Sequence, residues 1–271
     1  MPRPTTIFRA ALVTLALAAS ACSSSKEETY VERPVEELYN EAMNSVQQGL
    51  YRTAAKQFDE VERQHPYSVW ATKAQLMAAF SHYEDAKYDD AIVALDRFIQ
   101  LHPGNRDIAY AYYLKALCYY EQITDVQRDQ RNTDRALKAL EEVTKRFPES
   151  RYARDAKLKI DLTHDHLAGK EMAIGRYYLN QGNYLAAINR FRVVVEKYQT
   201  TSQTPEALHR LTEAYLALGI TDEAQTAAAV LGHNFPGSDW YVDSYRLLTG
   251  KDLSPKRNEG SWLSRMWDTV F

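Results

Sequence analysis

The sequence predicts an all-α fold: a right-handed α-solenoid of five helical hairpins with a long connecting helix. Three observations predict it. A short pattern of Gly or a polar residue, an aromatic, Ala, spaced apolar residues and Pro recurs along the chain, twice at a spacing of 37 residues. Gly and Pro number only 10 and 9 in 271 residues, while 45% are hydrophobic, ample for a packed core. Between Arg151 and Gly182 no Pro occurs, and Tyr152, Ala156, Ile160, Thr163, Leu167, Ile174 and Tyr178 keep a helical period.

In chain order, residues 1–21 come first. Arg3 and Arg9 precede a run of Ala, Leu and Val, and small residues lead up to Cys22. A basic start, a short apolar stretch and small residues before a cut site make a secretory signal peptide. The run is about half the ~20 residues that a spanning helix needs. Cys22 after small residues resembles a bacterial lipobox, although Ala19 stands where Leu is usual. That resemblance implies acyl chains on the thiol and the freed amine of Cys22, palmitate among them, each buried methylene adding ~0.8 kcal/mol of membrane affinity. The competing reading is ordinary cleavage beside an incidental Cys. Residues 22–34 then read as an acylated Cys and flexible polar tether. Ser23 rather than Asp follows the Cys, which by the same resemblance implies the outer membrane. Removing Arg3 and Arg9 leaves 31 basic against 36 acidic residues, a formal −5. Such a chain lacks the basic face that nucleic acid requires.

The repeats occupy most of the remainder. Gly49 to Ala54 leads to Phe58, Val61 and Pro66; Ala86 to Ala91 leads to Leu95, Phe98 and Pro103. Thr133 to Ala136 leads to Leu140, Val143 and Pro148; Gly182 to Ala187 leads to Phe191 and Val194; Gly219 to Ala224 leads to Ala228, Leu231 and Pro236. The series resembles five tetratricopeptide repeats. Gly suits the left-handed residue that ends a first helix. Ala54, Ala91, Ala136, Ala187 and Ala224 mark close crossings, and Pro stops each second helix. Residues 35–169 are expected to hold repeats 1–3 and residues 170–250 repeats 4–5. About eight extra residues around Thr124 to Arg131 part the helices of repeat three, and Gln199 replaces the Pro of repeat four. The stretch 151–182 is expected to form a helix of up to ~45 Å joining the two sets.

Residues 251–271 form a linker and a short amphipathic tail. Trp262, Leu263, Met266, Trp267, Val270 and Phe271 fall on one helical face. So short a helix is marginal alone, so this face calls for a protein or a membrane surface.

The sequence offers no Gly-rich phosphate loop, no nucleophile elbow and no Cys cluster, so no catalytic residue, metal ligand set or cofactor is expected. Cys118 is read as a buried, inert thiol. His65 and His102 share one position before the repeat Pro and are read as structural. His164 and His166 point to different faces, and Asp165–His166 is read as a solvated face. First helices of stacked hairpins line the concave side. Position by position, Tyr39 and Met43, then Leu76, Phe80 and Tyr83, then Tyr110, Tyr113, Leu117 and Tyr120 should line a groove for an apolar peptide. The opposing reading is that these side chains pack against neighbouring helices.

Signal, lipobox and repeats together with Ala91–Pro103, Arg128–Arg131, Asp165–Glu171 and Gly175–Tyr178 are similar to the BamD family of outer-membrane protein assembly factors, over about 30–250. The resemblance implies a non-enzymatic lipoprotein of the β-barrel assembly machinery at the periplasmic face of the outer membrane. It implies that the N-terminal repeats receive the C-terminal targeting signals of unfolded outer-membrane proteins. The C-terminal repeats would dock on a BamA-like barrel subunit, in company with other assembly-machine lipoproteins. A secretin pilotin or cell-division coordinator shares the architecture and remains an alternative. A lipid-anchored envelope hydrolase would need catalytic residues that the sequence does not offer.

Overall fold

The computed structural model describes residues 32–250, and among these every regular element is a helix. Eleven helices follow one another: α1 (Val35–Gln47), α2 (Tyr51–Gln64), α3 (Val69–Glu84), α4 (Tyr88–Leu101), α5 (Ile108–Tyr120), α6 (Arg131–Arg146), α7 (Arg151–Asn180), α8 (Tyr184–Lys197), α9 (Thr204–Ala217), α10 (Thr221–Asn234) and α11 (Asp239–Thr249). Each packs on the next, and the first helices of neighbouring hairpins touch as well, α1 with α3, α3 with α5 and α5 with α7. The second helix of each hairpin is held by its apolar stripe: Phe58 and Val61, Leu95 and Phe98, Leu140 and Val143, Phe191 and Val194, and Leu231 are all buried. Ala54, Ala91, Ala136, Ala187 and Ala224 have no exposed surface at all, as the crossings require.

Four of the five turns inside the hairpins use a left-handed residue. Gly49, Gly182 and Gly219 supply it with φ of 72°, 73° and 75°. In the second hairpin the same place is taken by Ala86 at φ 57°, where an L side chain is strained. The connections between hairpins are equally uniform. His65, His102, Phe147, Tyr198 and Phe235 end their helices near φ −130° and each accepts, through its carbonyl, the N–H three residues on. That third residue is Ser68, Asn105, Ser150, Thr201 or Ser238. Ser68, Ser150 and Ser238 then cap α3, α7 and α11 by accepting from Ala71, Ala153 and Trp240 amides. Tyr198 adopts this shape although Gln199 follows it, so Pro assists the turn without being needed for it.

Seven residues before each left-handed turn lies a small side chain where the first helix crosses its own partner. Ala42, Ala79 and Thr212 are there, all fully buried, with Gly175 at the same place in α7 and Ala116 doing the same for α5. Gly175 comes so near the Phe191 ring that a Cβ would overlap it. In α11 the equivalent position, counted back from left-handed Gly250, is Asp243, which pairs with Arg246 at 3.3 Å. A helix crossing there would have to bury that carboxylate. The opposite face of α11 is docked: Tyr241 is buried and lies over Gly232, and fully buried Ser244 hydrogen-bonds His209 Nδ1 at 2.9 Å. The sequence reading counted these residues within repeats 4–5 without setting them apart as a helix of their own.

α7 has 30 residues, about 45 Å at 1.5 Å each. Its Ala156 belongs to the apolar cluster of Ala116, Leu140 and Val143, while Ala168 and Met172 belong to that of Ile188, Phe191 and Leu211. It is one continuous helix across Gly169 and Gly175, and the expected division at 169/170 lies inside it.

Several expectations are corrected. Arg33 and Pro34, assigned to the tether, are part of the first hairpin. Arg33 donates its amide to Gln64 and its guanidinium to Glu37 and Glu41, and its carbonyl accepts from His65 Nε2 at 2.7 Å. α6 begins at Arg131, so the third hairpin's loop spans residues 121–130. Asp165 is not on a solvated face: it is half-buried and accepts from the Ser202 amide at 2.8 Å and its hydroxyl at 2.6 Å, bracing the α8–α9 turn. His166 is half-buried as well.

Candidate protein-binding face

The nine residues expected to line a groove lie on α1, α3 and α5, the helices that touch one another along one side of the array. None of the nine is fully exposed. Tyr39 packs its ring against Phe58 at 5.5 Å and Trp70 at 4.8 Å, and Met43 sits in the same cluster. Leu76 is only 9% exposed and is a core residue of the second hairpin, so its part in a groove is limited to an edge. Phe80, Tyr83, Tyr110 and Leu117 are half-buried against that same core. Tyr113 and Tyr120 are half-buried against the third hairpin's core. Most of these side chains thus pack one part inward and leave another part accessible.

The rings are linked. Tyr83 meets Tyr88 at 5.8 Å, and Tyr110 and Tyr113 flank Tyr152 of α7 at 5.5 and 5.3 Å, the latter stacked. Lys159 lies over the Tyr120 ring at 4.8 Å, and the Tyr113 hydroxyl donates to Asp155. Desolvation, followed by the nearby Glu121 and Glu84 carboxylates, pushes the Tyr83 hydroxyl up to about 12. Desolvation, then Tyr152 and Glu84, does the same for Tyr110, and burial with the Asp155 hydrogen bond raises Tyr113 further. These phenols thus stay neutral donors at any physiological pH. Trp70 and Tyr152 contribute rings that sequence reasoning did not assign to this face. Both stand just after a linker serine, in the first turn of α3 and α7, and that shared place was the available signal.

Elsewhere the loop 121–130 is built rather than loose. The Gln130 side chain donates to the carbonyls of Asp125, Val126 and Arg128, and Lys170 Nζ donates to those of Gln127 and Arg128. Val126 reaches Gly169, and between loop and α7 lies a cleft of about 520 Å³ bordered by Asp134, Glu171 and Tyr198. Cys118 is fully buried, and desolvation pushes its thiol up to about 12, far from a nucleophile's range. His102 Nε2 bonds Gln75 at 2.8 Å, a structural role like that of His65. Among the described residues no three His, Cys, Asp or Glu are grouped to hold a metal ion, and no helix is long and apolar enough to cross a membrane. Cys22 and the tail residues Trp262, Leu263, Met266, Trp267, Val270 and Phe271 lie outside the described residues.

Stacked helical hairpins with half-buried aromatic side chains along their first helices define a helical-repeat scaffold. Residues 31–231 match the family YfiO, outer membrane lipoprotein. The chain is 53% identical to the outer membrane protein assembly factor BamD of Caulobacter vibrioides, over 93% of this chain and 83% of that one. It is 47% identical to BamD of Rickettsia prowazekii (88% and 95%) and 33% identical to BamD of Neisseria meningitidis serogroup A (86% and 93%). Solved structures similar to it include a thermophilic TPR protein of Thermus thermophilus (TM-score 0.37, 18% identity, 79% of this chain and 99% of that one). Another is the TPR2AB domain of yeast Sti1 in a pHSP90 complex (TM-score 0.41, 11% identity, 79% and 81%). The chain belongs to the BamD family of outer-membrane protein assembly factors and is a non-enzymatic protein.

Proposed function

We propose that the chain is a lipid-anchored subunit of an outer-membrane β-barrel assembly complex, held to the periplasmic face of the outer membrane through acylated Cys22. The face of α1, α3 and α5 takes the apolar targeting signals of unfolded barrel proteins. Helices α8–α11 dock on a BamA-like barrel subunit, with other lipoproteins of the machine alongside. One observation carries the binding part of this reading: three groups of half-buried rings, around Tyr39, Tyr83 and Tyr113, offer apolar surface at little further cost in side-chain entropy. Being already half immobilised, they are suited to act as binding anchors.

Alanine at Tyr83 and Tyr120 together leaves the Tyr113–Tyr152 stack in place. It should weaken a fluorescent targeting peptide's binding at least about tenfold by anisotropy, since each anchor is worth more than ~1 kcal/mol. Unchanged affinity would remove the groove from this face. The complex is tested by mild-detergent pull-down of the native lipidated chain. Recovery of a large barrel protein with periplasmic domains supports the proposal, and recovery of a secretin or cell-wall enzymes without that barrel overturns it.

A further inference from the structure

The five turns between hairpins share one geometry, so a departure in one of them belongs to its surface rather than to its fold. Where Tyr67 stands in the first turn, the others have Gly104, Glu149, Thr200 and Gly237. Where Val69 stands, they have Arg106, Arg151, Ser202 and Asp239. Only the first turn is apolar at both points. Tyr67 is fully exposed and Val69 is 74% exposed. Neither side chain holds the turn, whose hydrogen bonds run from the Ser68 amide to the His65 carbonyl and from the Ala71 amide to the Ser68 hydroxyl. A lone exposed apolar side chain is ordinary. Two of them at the tip of one turn in five, where the shared shape is satisfied by Gly or polar residues, call for a surface to meet them.

The place of this turn says which surface. The chain enters the first hairpin beside it: the Arg33 carbonyl accepts from His65 Nε2 at 2.7 Å, and the Arg33 amide donates to the Gln64 side chain at 2.9 Å. Cys22 stands eleven residues before Arg33, a path of at most about 40 Å. A bilayer that holds Cys22 is therefore kept close to Tyr67, and tethering lets a contact form that would be too weak alone. The same edge is basic. Lys73, one turn along α3 from Val69, and Arg106 of the next turn are both exposed and border one cavity. Asp107 is the one carboxylate lining that cavity, and it meets Arg106 Nε at 3.4 Å. A tyrosine, an aliphatic side chain and an excess of cations suit the headgroup layer of an anionic membrane.

We propose that the turn Pro66–Val69 is a second membrane contact: Tyr67 and Val69 enter the interfacial layer of an anionic phospholipid surface, and Lys73 and Arg106 lie against its phosphates. This rests on the proposed anchor at Cys22 and adds an orientation to it. One point of attachment lets the body swivel, whereas two turn the linker end of the first hairpin toward the bilayer.

The test uses the native lipidated chain on vesicles of phosphatidylethanolamine and phosphatidylglycerol that contain a phosphatidylcholine spin-labelled near its headgroup. Tyr67→Cys, Glu149→Cys and Thr200→Cys, equivalent exposed positions in three turns, each carry a nitrobenzoxadiazole probe, so the probe's own affinity for lipid is matched. Cys118 is fully buried and stays unlabelled. Quenching by the spin label should be roughly twofold or more greater at position 67 than at 149 and 200, as for a side chain in the interfacial layer. Val69→Asp, at an exposed position, should bring position 67 down to the level of the other two. Equal quenching at all three sites, in a chain that floats with the vesicles, overturns the second contact and leaves the anchor standing. A chain that does not float overturns both. Quenching at 67 that survives Val69→Asp shows the probe itself entering the lipid, which also overturns the contact. Quenching at 67 that is undiminished without phosphatidylglycerol overturns the part assigned to Lys73 and Arg106.

Discussion

At the scale of single residues, the exceptions to the repeat pattern make its physics measurable. Ala86 holds a left-handed conformation that Gly49, Gly182 and Gly219 hold at the equivalent turns. Left-handed backbone costs an L residue ~1–2 kcal/mol, and glycine's extra freedom in the unfolded chain returns ~0.4–1 of that. Ala86→Gly should therefore stabilise the protein by about 0.5–1 kcal/mol in urea unfolding. Gly175→Ala forces a methyl into the Phe191 ring and should destabilise by about 1–3 kcal/mol, the range for overpacked cores. His209 provides a pH handle. Burial, and then the neighbouring Arg210, hold its pKa below the ordinary 6.5, against the weaker pull of Glu213, Asp243 and Glu206. The unfolded chain binds the proton more readily, so the contribution to stability is complete above about pH 6.5 and falls away as pH drops below it. The melting temperature of the unaltered protein should thus fall more steeply between pH 7 and 5 than that of His209→Gln.

At the scale of elements, the hairpins were readable in the sequence because their signals are local. Gly or its stand-in, the crossing Ala, the apolar stripe and Pro fall within some 18 residues, and each has one physical cause. What escaped depends on contacts between elements. The place of Arg33 in the first hairpin depends on a hydrogen bond from His65, 32 residues away. Asp165 reads as solvated until the turn carrying Ser202 is laid against it, 37 residues on. α11 was not singled out because it keeps the turn signal at Gly250 but carries Asp243 where the hairpins have a small crossing residue. The candidate face was half legible: helix periodicity placed its side chains on one side, but only packing shows Leu76 to be core and Trp70 and Tyr152 to be ring partners.

At the scale of the whole molecule, α7 decides how the parts behave together. Its two ends lie in different apolar clusters, and neither cluster can be dismantled without exposing a face of the same helix. Repeat arrays are sums of unit stabilities and nearest-neighbour interfaces, and a helix shared by two units makes the interface term large. Residues 32–250 should therefore unfold in a single transition, with far-UV circular dichroism and tyrosine fluorescence coinciding along urea. Separate midpoints for the two would show that the first three hairpins and the last two are independent. The carboxylate of Asp243 bears on the same array in a different way. Because Asp243 stands where the first helices of the hairpins carry a small buried side chain, any chain segment laid across that point of α11 must strip water from a carboxylate, and the face is thereby kept for a partner that brings a cation.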